Sequence, residues 1–394
     1  MQPRFSLWAY PWDISAIGIR EALQEIHALS INTVSMATAY HAGLFLQPRN
    51  PERKVYFLQD GTIYFHPGQH YGRIQPEVAV VTRERNITRE LAEQAEEIGL
   101  QLAAWTVCLH NTRIGTTYPD VTTINAFGDR TLFSLCPSHP DVQQYITTLI
   151  ADISRQPGIS SIELESLNYM GFEHGFHHEK DGVGLTPLDQ FLFSLCFCPH
   201  CMQSAQASAI DAQQAHNDVK EMLTDCLRRE IPDTRKGQDF LEQGLALFEQ
   251  QQALHDYLLW RTEPVTHLLE QARAATAPGV ELIFLDAETP NASWMYGIDY
   301  ARVAEICDGN VTCCYGLDAA AVTSRIAEAR SLAPHANLIA SFRLFHPEMP
   351  DAAALTERVA AAHQAGVQGV AMYNYGLVPQ ARMRWIRDAL LAWQ

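Results

Sequence analysis

Four carboxylates stand at the ends of two short apolar runs. Glu163 and Glu165 fall in "IELESLNY", and Asp286 and Glu288 in "FLDAETPN". In an extended strand, residues two apart share a face, so each pair projects to one side. Charge on a buried strand is costly unless it faces a polar site. Any one of these could be a solvated residue at a strand mouth. Two pairs at neighbouring strand ends are harder to explain that way. Opposed carboxylates suit the cleavage of a glycosidic bond, which needs a proton donor plus a nucleophile or base.

A second constellation is "LCFCPHC", residues 195–201, with Cys196, Cys198 and Cys201 at C-x-C-x-x-C spacing. A redox pair would want C-x-x-C at a helix start in a thioredoxin-like setting, which is missing. A tetrahedral zinc site needs four soft ligands, and a knuckle of this kind supplies two or three. His200 is adjacent to Cys201, and neighbours rarely both reach one ion. Cys136, in "LFSLCPSHPDVQQYI", is the better fourth ligand, with Cys108 the substitute. The expected role is structural. A third stretch, "NYMGFEHGFHHEKDG" (168–182), gathers His174, His177 and His178 with Glu173 and Glu179. It is either a solvated surface or a loop over the site. In the second case it binds substrate or holds a second metal, since histidines at i, i+3 and i+4 can converge on one ion.

Positioning these residues takes a barrel. Strands are expected at 4–10, 31–39, 100–108, 160–165, 280–286, 310–315, 336–343 and 368–374, with helical patterns at 18–28, 87–98, 140–154, 319–332, 351–364 and 379–392. Near-continuous apolar runs suit strands buried on both faces. Eight strands alternating with helices predict an α/β fold, a (β/α)8 TIM barrel. An open doubly wound sheet is disfavoured because "YPWDIS", not a Gly-rich turn, follows the first strand. The chain reads as one domain, 1–394, with an insertion at 41–80 after strand two and another at 167–278 after strand four. Neither reads as having a core of its own. The first should hold a hairpin of VYFL and TIYF around "QDG". Both leave from the C-terminal rim, where barrels build active sites. Other strand ends bring Tyr10, Trp12, Tyr40, His41, His110, Asn111, Arg343, Tyr373 and Asn374 to that rim, aromatic and polar groups that fit the ring faces and hydroxyls of a sugar.

Composition sets the bounds. Hydrophobic residues make up 47% and charged residues 19% of the chain, as in a globular protein. The net charge of −17, without a basic stripe, argues against nucleic acid or an anionic membrane as partner. No run approaches the roughly 20 apolar residues that span a bilayer. The N-terminus lacks the pattern of a signal peptide, and nine scattered cysteines do not form a disulfide framework. The expectation is a cytoplasmic protein with a small-molecule or oligosaccharide substrate that could form a homo-oligomer.

"CPSHPDVQQYITTLI", a glutamate ending strand four, and "CFCPHC" together resemble glycoside hydrolase family 42, a family of β-galactosidase barrels. The segment is also similar to barrels known as hypothetical glycosyl hydrolases. The likeness covers about residues 130–205. It implies Glu165, or Glu163, as general acid/base and Cys136, Cys196, Cys198 and Cys201 as zinc ligands. The chain departs from the family at two points. Leu164, not asparagine, precedes Glu165, and Arg343 stands at the end of strand seven, where the family has its nucleophilic glutamate. The reading is a glycoside hydrolase with Glu165 as acid/base and its second carboxylate from strand five. The alternatives are a metal-assisted sugar isomerase, epimerase or lyase using the His174–His178 loop, or a carbohydrate-binding barrel without catalysis.

Overall fold

In the computed structural model, which describes residues 3–174, 180 and 182–393, eight parallel strands close on themselves. They are β1 (Arg4–Ala9), β2 (Thr33–Tyr40), β3 (Gln101–Val107), β4 (Ile159–Glu165), β5 (Glu281–Asp286), β6 (Gly309–Cys313), β7 (Leu338–Arg343) and β8 (Gly369–Tyr373). Each pairs in parallel with the next, and β1 pairs with both β2 and β8. This is the expected (β/α)8 barrel, with all eight strands within a few residues of their sequence positions.

Both faces of the strands are buried. Trp8, Ala37, Trp105, Ile283, Leu285, Val311, Ile339 and Ala371 fill the lumen. Residues of opposite phase, such as Leu7, Val34, Leu102, Ile162, Leu282 and Phe284, pack outward under the helices. Those helices start where side chains satisfy free backbone N–H groups. Asn86 caps Ile87–Ile98, Asp318 caps Ala319–Leu332 and Asp351 caps Ala352–Gln364.

The first insertion differs from expectation. Val55–Phe57 pairs antiparallel with Leu44–Leu46, forming a separate ribbon, while Thr62–Ile63 adds to the top of β2. Gly61 does turn the chain, at φ 59°. The strand beyond it is then captured by the uncovered edge of β2, a long-range pairing that no local pattern encodes.

The second insertion separates β4 from the next helix of the barrel ring. That helix, Thr262–Ala275, contributes Leu268, Leu269 and Ala272 to the outer core. Between them, helices Pro187–Phe193, Pro199–Ala207, Ala212–Arg228, Thr234–Gln243 and Gln252–Trp260 close around an apolar cluster that includes Phe191, Leu223, Phe240, Phe248 and Tyr257. The cluster also takes in Ala126 and Cys136, so the excursion packs against the segment that precedes β4.

Candidate active site

The alternation of β4 aims both its glutamates into the lumen. Glu163 is fully buried and accepts hydrogen bonds from Trp8 Nε1 (2.7 Å), Ser35 Oγ (2.8 Å) and Arg4 Nη2 (2.9 Å). Three donors, one of them a guanidinium, satisfy this buried charge and hold it in place. Glu165, one pleat higher, accepts from the Trp105 indole N–H. Burial, and to a lesser degree the charge of Glu163, pushes its pKa up to about 7 against the opposing Trp105 hydrogen bond. A carboxyl half-protonated near neutrality is what proton donation requires. Directly after it, Ser166 adopts φ 55°, and the carbonyls of Glu165 and Ser166 accept from Cys108 N (2.8 Å) and Leu109 N (3.0 Å).

Glu165 opens onto a cavity of about 440 Å³ between the β4–β5 mouth and the second insertion. Asp286, Glu288 and His174 line the same cavity, with Phe172, Phe191, Phe240 and Met295 as apolar wall. Asp286 has the outward phase of Leu282 and Phe284, so it reaches the cavity from outside the lumen. Its oxygens accept from Ser293 Oγ (2.7 Å) and Glu288 N (3.0 Å), and burial lifts its pKa to about 6. Glu288 is half-buried. Burial and the Asp286 charge raise its pKa, and a hydrogen bond with Tyr296 opposes them. Tyr296, Asn168 and Gln190 also line the cavity, and sequence reasoning did not single them out. They arrive from insertions and turns whose packing has no period to read.

The aromatic residues of β1, β2 and β8 pack against Trp105, beside Glu165, and do not line that cavity. Tyr10 and Trp12 are 0% and 4% exposed and stack at 4.5 Å. The Tyr10 hydroxyl bonds those of Tyr40 (3.1 Å) and Tyr373 (2.7 Å). Phe45 and Tyr56 of the ribbon cover this group, with Tyr56 stacked on Trp12 at 5.0 Å.

His41 stacks on His110 at 4.1 Å, and His110 Nδ1 lies 3.2 Å from His174 Nε2. Burial lowers His41 to about 4 and His110 to about 2, and lowers His174 as well, so it disfavours the charged form of all three. His177 and His178 lie outside the described residues. Asn111 caps Thr112–Thr117, accepting from Ile114 N at 2.9 Å. Arg343 is paired in bidentate fashion with Glu348 and lies over Tyr315 and Phe345. Asn374 is 1% exposed and accepts from Gly376 N (3.0 Å).

The four cysteines do converge. Cys136 Sγ is 3.5 Å from both Cys198 Sγ and Cys201 Sγ and 3.9 Å from Cys196 Sγ, and all four sulfurs lie within 4.8 Å of one another. A tetrahedron with zinc–sulfur bonds of about 2.3 Å has edges of about 3.8 Å, so the spacing fits such an ion. Backbone N–H groups of Ile124 and Cys201 point at Cys196 Sγ and Cys198 Sγ, each at 3.4 Å. Burial drives the Cys136 and Cys196 thiols well up, while hydrogen bonds from the other thiols drive Cys198 down. Cys108 is not part of the cluster and bonds Thr106 O instead. Among the described residues, these cysteines are the only group of potential metal ligands found.

The barrel, the carboxylate-lined cavity and the thiol cluster can be set beside known proteins. No protein-family model and no curated protein sequence matches the chain. Solved structures do. The catalytic domain of β-amylase from Paenibacillus polymyxa superposes with a TM-score of 0.59 at 12% identity, covering 99% of this chain and 98% of that one. α-L-Fucosidase isoenzyme 2 from Paenibacillus thiaminolyticus gives 0.57 at 13% identity over 99% of this chain and 49% of its own. β-Galactosidase from the psychrophilic Marinomonas ef1 gives 0.55 at 10% identity, with 99% and 59% covered. What the chain shares with these proteins is the (β/α)8 barrel. The chain spans about half the length of the fucosidase, and identities this low establish likeness of fold alone.

Proposed function

We propose that this chain is a glycoside hydrolase-like enzyme in which Glu165 is the general acid/base. The observation that carries the reading is a carboxyl with a pKa of about 7 at the end of β4, opening on a cavity that holds two further carboxylates. Glu165 would protonate the departing glycosidic oxygen. Glu288 would be the nucleophile, or the base for water. Asp286, with its oxygens engaged by Ser293 and by the Glu288 N–H, would orient the turn that carries Glu288. Glu163 holds Trp8 and Ser35 and supplies the negative charge beneath Glu165 that favours its protonated form. Carboxyl groups about 5 Å apart would give retention and about 6.5–9.5 Å inversion, so the anomer released reports which geometry operates.

Cys136, Cys196, Cys198 and Cys201 would hold one zinc ion in a closed structural site, fixing where the second insertion leaves the rim. Closed thiolate sites contribute folding energy and leave no position for water. That arrangement supports the likeness to family 42, while the Arg343–Glu348 ion pair at the end of β7 favours a departure from that family's two-glutamate plan. The same ion pair favours a second reading, a barrel that binds carbohydrate without cleaving it. Turnover of a panel of aryl glycosides by wild type and Glu165→Gln separates the two. An enzyme loses about 10²–10⁴-fold in kcat with sugar binding kept. A binding protein has no turnover to lose, and turnover unchanged by the substitution would refute the assignment of Glu165.

A further inference from the structure

Arg261 sits at the junction of Gln252–Trp260 and Thr262–Ala275 and is 1% exposed. Its Nη1 donates to Met295 O at 3.0 Å, while Nε and Nη2 are buried without a hydrogen-bond partner. Its guanidinium lies over the Tyr169 ring, 4.6 Å from the centroid, and 5.8 Å from that of Phe191. No ion pair joins it to any described carboxylate, and the groups whose negative charge would favour its cation are Tyr169, Tyr257, Cys196 and Cys201. A buried, unpaired guanidinium costs several kcal/mol, so the missing anion has to be located.

The thiol cluster is in the right place. The Tyr169 hydroxyl lies 3.4 Å from Cys201 Sγ, and Tyr257, whose hydroxyl donates to Cys196 O, accepts the backbone N–H of Arg261 at 3.0 Å. Four neutral thiols offer Arg261 nothing. Four thiolates around a divalent ion carry a net charge of −2.

We infer that Arg261 is the counter-ion of a tetrathiolate metal centre at Cys136, Cys196, Cys198 and Cys201, and that it ties that centre to the wall of the cavity. The inference rests on the metal reading above. The tie runs through two contacts. Arg261 Nη1 holds the carbonyl of Met295, a cavity-lining residue, and Tyr169 N holds the carbonyl of Tyr296 at 3.0 Å. Gly297 makes room for the junction. A Cβ there would stand 2.8 Å from both Arg261 O and the Tyr169 ring.

The test uses the full chain and zinc alone, with affinity read by competition against a chromophoric chelator. Arg261→Met should weaken zinc binding by about 10–100-fold, as loss of a partner just beyond the ligands typically does, and Arg261→Lys should recover part of it. In cobalt-loaded protein, the thiolate-to-metal absorption should shift in Arg261→Met and move back in Arg261→Lys. Phe248→Leu, a buried change in the same apolar cluster, serves as the control and should lower thermal stability without changing metal affinity. Should Arg261→Met fail to fold, the rise in melting temperature on adding zinc is compared between wild type and Arg261→Lys, and a smaller rise in the variant is expected. Wild-type zinc affinity and an unshifted cobalt spectrum in Arg261→Met, or an equal zinc-dependent rise in Arg261→Lys, would overturn the inference while leaving the metal site standing. A wild-type protein that takes up neither metal would overturn both.

Discussion

The two halves of the barrel mouth carry different strand-end residues and end in opposite states. Above β1, β2 and β8, Tyr10, Trp12, Tyr40 and Tyr373 interlock and are covered by Phe45 and Tyr56. Above β4 and β5, Glu165, Asp286 and Glu288 line an open cavity under helices of the second insertion. Strand-end residues line a site only where the insertion above arches away from them. Where Phe45 and Tyr56 of the ribbon lie over them, the aromatic strand ends become a plug.

The widest separation of the halves is catalytic. Glu165→Gln is expected to lower kcat on an activated glycoside by about 10²–10⁴-fold. Tyr373→Phe, in the plugged half, should lower it less than about tenfold, measured on the same substrate. Equal losses would erase the distinction between the halves. Cys198→Ser comes next. It should abolish the binding of about one zinc per chain and lower stability by about 3–5 kcal/mol, read by metal analysis and denaturant unfolding.

A smaller effect concerns pH. Glu165 has a pKa of about 7 when folded against 4.5 for a free side chain, so the folded state retains a proton that the unfolded state gives up between those values. Stability present below about pH 4.5 is therefore lost as pH rises through 7, and Asp286, at about 6, acts in the same direction. Glu165→Gln should lose about 1–3 kcal/mol less than wild type between pH 5 and 8, measured by urea unfolding at each pH. A parallel decline in the two proteins would mean that Glu165 is well solvated. The smallest effects belong to the plugged half. Tyr373→Phe should cost about 1 kcal/mol through the lost Tyr10 hydrogen bond. Phe57→Ser, on the outer face of the ribbon where Phe57 is 76% exposed, should stay within about 0.5 kcal/mol.

What could be read in the sequence depended on whether a local pattern carried the information. The eight strands and Cys196, Cys198 and Cys201 were legible because apolar runs, turns and C-x-C-x-x-C spacing are local, whereas Cys136, 60 residues before Cys196, came from its expected place on the barrel and the family resemblance. The direction of β4 was legible because "IELE" alternates. β5 is different. "LIFLD" is apolar on both faces, so nothing fixes its phase, and only the register of Leu285 with Glu165 shows that Asp286 has the outward phase. The partner of Val55–Phe57 was hidden for a similar reason, since pairing with Leu44–Leu46 is a tertiary choice. Arg261 gave no signal at all, because a lone arginine inside a long helical pattern looks like solvated surface.

The delayed return of the barrel helix that follows β4 has a consequence for how the chain is made. Residues 166–261, 96 in all, separate Glu165 from Thr262. At translation rates of about 5–20 residues per second, that span takes about 5–20 s to emerge. Through that interval β4 has Pro140–Ile153 packed on it but not yet β5 beside it, and its unpaired edge is free to find another strand. Conditions that protect the nascent chain, such as slower synthesis at low temperature or an abundant holding chaperone, should raise the yield of folded protein while leaving the melting temperature of what is recovered unchanged.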